Sequence, residues 1–274
     1  QTLGQESFTV GGIFLRVNGI VMEPGLLSTL LTPAVAYYIF TFKSCNKKRA
    51  LLTLSALLLT FSAAGYVVLC LILIYQLLFR NISRIKLVMW PTTFLLCIFS
   101  IYKVGSTEIS DGNFLSRIRE KVDQSIDGLQ QLRPEMIERL NISSYATLIN
   151  LYVAQNAPAR LTGTGLGNHS YNYDKVYVSN HPNYGLNKYD GYSLLTRLYS
   201  ETGWIGLILF FIFVVRNFNR HNLINTSVIF LIITFMMRGG HYTLNGLVFF
   251  LFMYHYTSKL KINDEIKNNY NICR

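Results

Sequence analysis

Arg16, Arg160, Arg197 and Arg238 are the residues of this chain best suited to hold a phosphate or pyrophosphate. A guanidinium offers two oxygens a matched pair of donors and never loses its charge. His169, His181 and His241 supply imidazoles, and Glu23, Asp190 and Glu201 supply carboxylates. Either group can take a proton from a hydroxyl. Six tyrosines, Tyr171, Tyr173, Tyr177, Tyr184, Tyr189 and Tyr192, crowd the same polar stretch as Thr162-Gly163-Thr164-Gly165-Leu166-Gly167 and Asn180-His181-Pro182-Asn183-Tyr184. Tyrosines there suit stacking on sugar faces and equally suit anchoring at a bilayer interface.

Each candidate also has an ordinary role. Arg16 and Arg238 border apolar spans and can snorkel to headgroups. Arg197 precedes Glu201 by one helical turn, the spacing of an i,i+4 ion pair. His181 precedes a proline and suits a structural hydrogen bond. Several familiar chemistries are set aside. The Gly163-Gly165-Gly167 run lacks the spacing and βαβ context of a dinucleotide fingerprint. No phosphate-loop lysine and no Gly-x-Ser-x-Gly elbow is present. His169 and His181 lack paired ligands at metal spacing, so neither a metal nor another cofactor is expected.

The elements that position these residues are greasy. Hydrophobic residues make up 51% of the 274 and charged residues 14%, against about 25% charged in soluble domains. Mean hydropathy is positive, and a membrane protein is the economical reading. The net charge of +11 would suggest nucleic acid in a soluble protein. Here the cations instead cluster beside apolar spans: Lys43, Lys47, Lys48 and Arg49; Arg80, Arg84 and Lys86; Arg216 and Arg220; Lys259, Lys261, Lys267 and Arg274. That is the positive-inside pattern of short cytoplasmic loops, and no nucleic-acid partner is expected. Cys70 and Cys97 lie in apolar spans, and Cys45 and Cys273 beside basic residues, so free thiols are expected. No basic-then-apolar leader follows Gln1, and the natural protein is expected to start further upstream.

Apolar spans run over 26–42, 50–79, 87–104, 194–215, 223–237 and 244–256. The second, thirty residues between two basic clusters, would reach about 45 Å as one helix, against a hydrocarbon core of about 30 Å. A helical hairpin turning near Ser62-Ala63-Ala64-Gly65 keeps both basic flanks on one side. The expected architecture is an all-α polytopic membrane protein with about seven membrane helices and one large, partly helical outer loop. Its parts are an outer segment 1–25, membrane helices 26–104, the loop 105–192, membrane helices 193–257 and a cytoplasmic tail 258–274. Within the loop, Leu115, Ile118, Val122, Ile126 and Leu129 recur at helical spacing, as do Tyr145, Leu148, Ile149 and Tyr152. The Gly-, Asn- and Tyr-rich stretch 163–190 has little periodicity and is expected to be irregular.

Four segments, in this order, resemble O-antigen polymerases of the polymerase/ligase superfamily. Arg16-Val17-Asn18-Gly19 leading to Pro24-Gly25 resembles the family's Arg-x-x-Gly…Pro segment. Ser62-Ala63-Ala64-Gly65 stands where the superfamily often has Ser-Arg-Gly. Thr162–Gly167 is similar to its Gly-x-Gly-x-Gly loop, and Leu198-Tyr199-Ser200-Glu201-Thr202-Gly203-Trp204-Ile205-Gly206 to its Leu-x-x-Glu-x-Gly-x-x-Gly re-entry. The resemblance implies a glycosyltransferase of the bacterial inner membrane working on the periplasmic face. Its donor would be an undecaprenyl-diphosphate-linked glycan, moved en bloc onto a fresh lipid-linked repeat unit. Membrane lipid and a chain-length regulator protein are the further partners it implies.

In this picture Arg16, Arg160 and Arg238 hold the diphosphate and His181 is the base. Glu201 or Asp190 orients that histidine, and Glu23, Gly163, Gly165, Tyr184 and Arg197 line the substrate. The related ligases, which pass polymer to lipid A-core, carry His-Asn where this chain has Tyr192-Ser193. Ala63 stands where the superfamily has arginine. A ligase, a transporter or flippase of lipid-linked sugar, and a membrane scaffold are the alternatives. Transporters usually carry repeats and charges at mid-membrane, whereas these spans are nearly free of ionisable residues.

Overall fold

The computed structural model describes residues 9–10, 14–15, 24–41, 47–60, 62–79, 132–242 and 246–260. Arg16, Glu23, the apolar span 87–104 and the helical pattern over 115–129 lie outside the described residues. Two-residue strands β1 (Thr9–Val10) and β2 (Phe14–Leu15) pair antiparallel, with Thr9 opposite Leu15. Among the described residues every other regular element is a helix: α1 (Pro24–Phe40), α2 (Lys47–Leu59), α3 (Ala63–Phe79), α4 (Pro134–Ile137), α5 (Ile142–Asn156), α6 (His169–Val176), α7 (Leu194–Arg216), α8 (Leu223–Met237) and α9 (Leu247–Lys259). They form two compact units. One holds α1 to α3, the end of α7 from Ile212, α8 and α9. The other holds α4 to α6, α7 up to Phe211, and Arg238–His241.

In the first unit the apolar stretch 50–79 holds two helices, the first ending at Leu59 and the second starting at Ala63. α1 packs against α2, α3 and α8. Ala36, Phe40, Val68, Ile72 and Phe230 form the core of that packing. Gly65 matters here: a β-carbon on it would sit 2.9 Å from the Ser28 β-carbon. The same crossing is tied by Ser28 Oγ donating to Ser62 Oγ at 3.0 Å. Small residues let two helices approach until hydroxyls meet, a packing mode suited to apolar surroundings. Buried Asn225 joins α8 to α9 and to the preceding turn. Its Nδ2 donates to Tyr254 O (2.7 Å), Asn217 O (3.1 Å) and Thr257 Oγ1 (3.2 Å), and its Oδ1 accepts from Asn219 N. Cys70 is a free thiol.

Among the described residues one helix, α7, is long and apolar enough by length and composition to cross a membrane. Gly25–Phe40, Ala64–Phe79 and Leu223–Met237 are apolar but shorter. α7 is not continuous: Gly203 has φ 63° and ψ −163°, which breaks the helical path.

In the second unit the spacing of Tyr145, Leu148 and Ile149 buries one face of α5 against Ile137, Tyr173 and Tyr177. Asn141 caps α5, its Oδ1 accepting from Ser144 N at 3.0 Å. The irregular coil expected over 163–190 requires correction. Eight residues of it, His169–Val176, are helical, and His169, Asn172 and Tyr173 on that helix are buried.

Candidate functional site

The second unit is organised around a carboxylate. Glu201 is fully buried. Its Oε2 accepts from Gly167 N at 2.8 Å, and its Oε1 accepts from His169 N at 3.2 Å and from Arg197 Nε at 2.9 Å. Asn168, the residue at the N-cap of α6, makes no side-chain cap of its own. Glu201 therefore supplies from α7 the anion that the N-terminus of α6 needs. Gly165 N also donates to the Glu201 carbonyl at 2.8 Å. Asn172 completes the weld, its Nδ2 donating to Thr164 Oγ1 (2.8 Å) and Ser200 Oγ (2.8 Å).

The glycines of the 162–167 loop have local reasons. Gly163 has φ +71°, and a β-carbon on it would overlap the Glu201 carbonyl. Gly203 has φ +63°, and its β-carbon would meet Leu161 and the Arg160 carbonyl, to which Trp204 N donates at 3.1 Å. Gly163→Ala is expected to cost about 2–3 kcal/mol, from left-handed backbone strain plus overpacking. Thermal unfolding of the purified variant measures it, and an unchanged midpoint contradicts the close packing.

Arg197 carries the assembly onward. It is 9% exposed, pairs with Glu201 at the i,i+4 spacing, and donates through a terminal nitrogen to Gly240 O at 2.9 Å. Gly240 is pressed so tightly against the Asp190 carbonyl that a β-carbon has no room, and Gly239 N donates to Tyr192 O at 2.9 Å. The 238–241 and 190–193 segments are thus one surface. On it the Arg238 guanidinium lies 5.9 Å from the Tyr192 ring centre. Asp190 Oδ1 accepts from Tyr192 N (3.1 Å), Asp190 Oδ2 accepts from Asn187 Nδ2 (3.1 Å), and His241 Nε2 stands 4.0 Å from Asp190 Oδ2. Tyr192 itself has φ +63°. A bulky residue in that region is held there by its surroundings, a pattern that clusters at functional sites.

The structure thus brings together Gly163, Gly165, Asp190, Arg197, Glu201 and Arg238, and it puts the exposed residue Arg160 beside the Gly203 break. It does not bring in His181 or Tyr184. The His181 ring stacks on Tyr145 at 4.8 Å and its Nδ1 accepts from Asn183 N at 3.2 Å. The carboxylate near His181 is Glu138, not Glu201 or Asp190, which corrects the expected orienting partner. Hydrogen bonds from Ser179 and Tyr177, both 2.6 Å, hold the Glu138 carboxyl below its usual range, with His181 adding a smaller push. Tyr184 donates to Asp174 at 2.9 Å and packs on Tyr173 and Tyr177. Among the described residues no cluster of ligands could hold a metal.

His169 has a role that its position in the chain does not advertise. It is fully buried, with Nε2 2.9 Å from Asn150 Oδ1 and Nδ1 without a hydrogen-bond partner. Burial pushes its pKa from 6.5 down to about 4, against the opposing pull of Glu201. Between those values the unfolded chain binds a proton that the folded one refuses. The stabilising contribution is full above about pH 6.5 and is lost as pH falls toward 4, roughly 3 kcal/mol in all at about 1.4 kcal/mol per unit. Melting temperature measured against pH should show this slope, and His169→Gln should flatten it.

No family model, curated protein or solved structure matches this chain.

Proposed function

We propose that the chain is the catalytic part of a membrane polysaccharide polymerase. It joins undecaprenyl-diphosphate-linked oligosaccharide units into polymer at the periplasmic face of a bacterial inner membrane. The observation that carries this reading is the weld at Glu201. The two segments that resemble the family's Gly-rich loop and re-entry are distant in sequence, yet they close on each other through one buried carboxylate. Arg197 then ties them to the surface bearing Arg238, Tyr192, Asp190 and His241. A cationic and aromatic surface of this kind suits a diphosphate-linked sugar: arginine for the leaving group, a tyrosine ring for the sugar. Arginine can stabilise the departing charge without a metal.

A bilayer setting is supported by what the helices leave uncovered. On α3, Val67, Leu71, Ile74 and Leu78 are exposed in one stripe. Trp204, Ile208, Ile212 and Val215 do the same on α7, and Val248, Phe249, Phe252 and Tyr256 on α9. Water tolerates apolar patches of that extent poorly, and lipid accepts them. The short segments that carry the clustered lysines and arginines and the large loop then take opposite sides of the membrane.

The test is a gel of lipopolysaccharide from a strain with the gene deleted and then restored at full length. Core bearing a single repeat unit, with the ladder returning on restoration, is the expected result. Bare core with polymer stranded on the carrier means a ligase, and an unchanged ladder rejects both.

A further inference from the structure

We infer that His241, backed by the Asp190 carboxylate, is the general base that deprotonates the acceptor hydroxyl in this reaction. The inference rests on the polymerase reading and replaces His181 in that role. Three observations support it. First, His241 is open: its side chain is 38% exposed, against 19% for Asp190. A base must be reached by substrate, and its partner is better shielded from water. Secondly, its Nε2 faces Asp190 Oδ2 at 4.0 Å, which leaves Nδ1 to receive a proton. Asp190 is itself fixed by Tyr192 N and Asn187 Nδ2. At 4.0 Å the two groups are too far apart for a direct hydrogen bond and within ion-pair distance of each other. Thirdly, Arg238 lies three residues before His241 on the segment that Arg197 and Gly239 pin down. Leaving-group holder and base thus share one rigid strip of backbone. His181 lacks these features: Nδ1 is occupied by Asn183 N, the ring is stacked on Tyr145, and Glu138 beside it already accepts from Tyr177 and Ser179.

The step balances as follows. The acceptor hydroxyl gives its proton to His241 Nδ1, and the freed oxygen pair forms the new bond to the anomeric carbon of the donor. The bond from that carbon to the diphosphate oxygen breaks, its electron pair leaves on the diphosphate, and Arg238 neutralises the added charge. The imidazolium then returns its proton to water.

The experiment uses the full-length protein in detergent with lipid-linked repeat unit isolated from the deletion strain. His241→Gln is expected to lower kcat by about 10²–10⁴-fold, and His241→Ala to regain part of its rate when free imidazole is added. Asp190→Asn, the positioning residue, is expected to lower kcat with donor KM and melting temperature near wild type. His181→Gln is expected to retain most of the rate. Wild-type protein that elongates nothing overturns the polymerase reading and this inference with it. Wild-type activity combined with a fully active His241→Gln, or with loss in His241→Ala that imidazole leaves unchanged, overturns this inference alone.

Discussion

Glu201→Ala will lose about 3–5 kcal/mol of stability, the usual cost of stripping one partner from a buried ion pair. The reason lies in what the carboxylate leaves behind. Arg197 is 9% exposed and would keep its charge without the Glu201 carboxylate beside it. The Gly167 and His169 amides would lose their acceptor, and an amide left bare in the interior costs about 1–3 kcal/mol. Part of this coincides with the ion-pair cost, so the two figures do not add. Glu201→Gln keeps the shape and one carbonyl oxygen but not the charge, and should fall between. Chemical unfolding of the three proteins side by side measures it. An Ala variant within about 1 kcal/mol of wild type would mean that water replaces the carboxylate and that the weld is loose.

Arg238→Ala is expected to reduce polymer formation by about 10²–10³-fold, the typical cost of losing one donor aimed at developing negative charge, at normal protein levels. Stability should change little, because the side chain is only half-buried and its ring partner Tyr192 is held by Asp190 and Gly239. Arg238→Lys separates charge from geometry. It keeps the cation but loses the fork, and should retain only part of the activity. The resemblance extends the same expectation to Arg16→Ala. Ladder length on a gel beside an immunoblot for protein level decides it; full activity in either alanine variant removes that arginine from the site.

What could be read from the chain followed the range of the physics. α8 was legible to the residue, because a stretch free of charge and mostly apolar, closed by Asn222 before it and Arg238 after it, leaves little choice of helix ends. The face of α5 was legible for the same reason: its periodicity is local. The Arg197–Glu201 pair could be read from a four-residue spacing. The rest of that carboxylate's work could not, since its amide partners lie 34 and 32 residues away. α6 was missed because Asn, Tyr, Ser and Asp are indifferent helix formers, and its cap comes from another helix. The break at Gly203 was hidden in an apolar run, because the close approach of Leu161 that requires it is tertiary. Among the candidate residues, all arginines and histidines were visible by type. Which histidine stood beside which carboxylate depended on Gly240 allowing two distant segments to touch.

The remote cap on α6 also imposes an order in time. An eight-residue helix is marginal alone, and its N-terminal amides wait for a carboxylate made 32 residues later. At synthesis rates of about 5–20 residues per second, α6 remains uncommitted for roughly 2–6 s after His169 is made. During that interval the Gly-rich loop has no template to close on. Assembly of this surface is therefore C-terminal-led: the first half of α7 must arrive before the loop preceding it can take shape. A chain stalled between Val176 and Glu201 would present the loop's sequence without its structure.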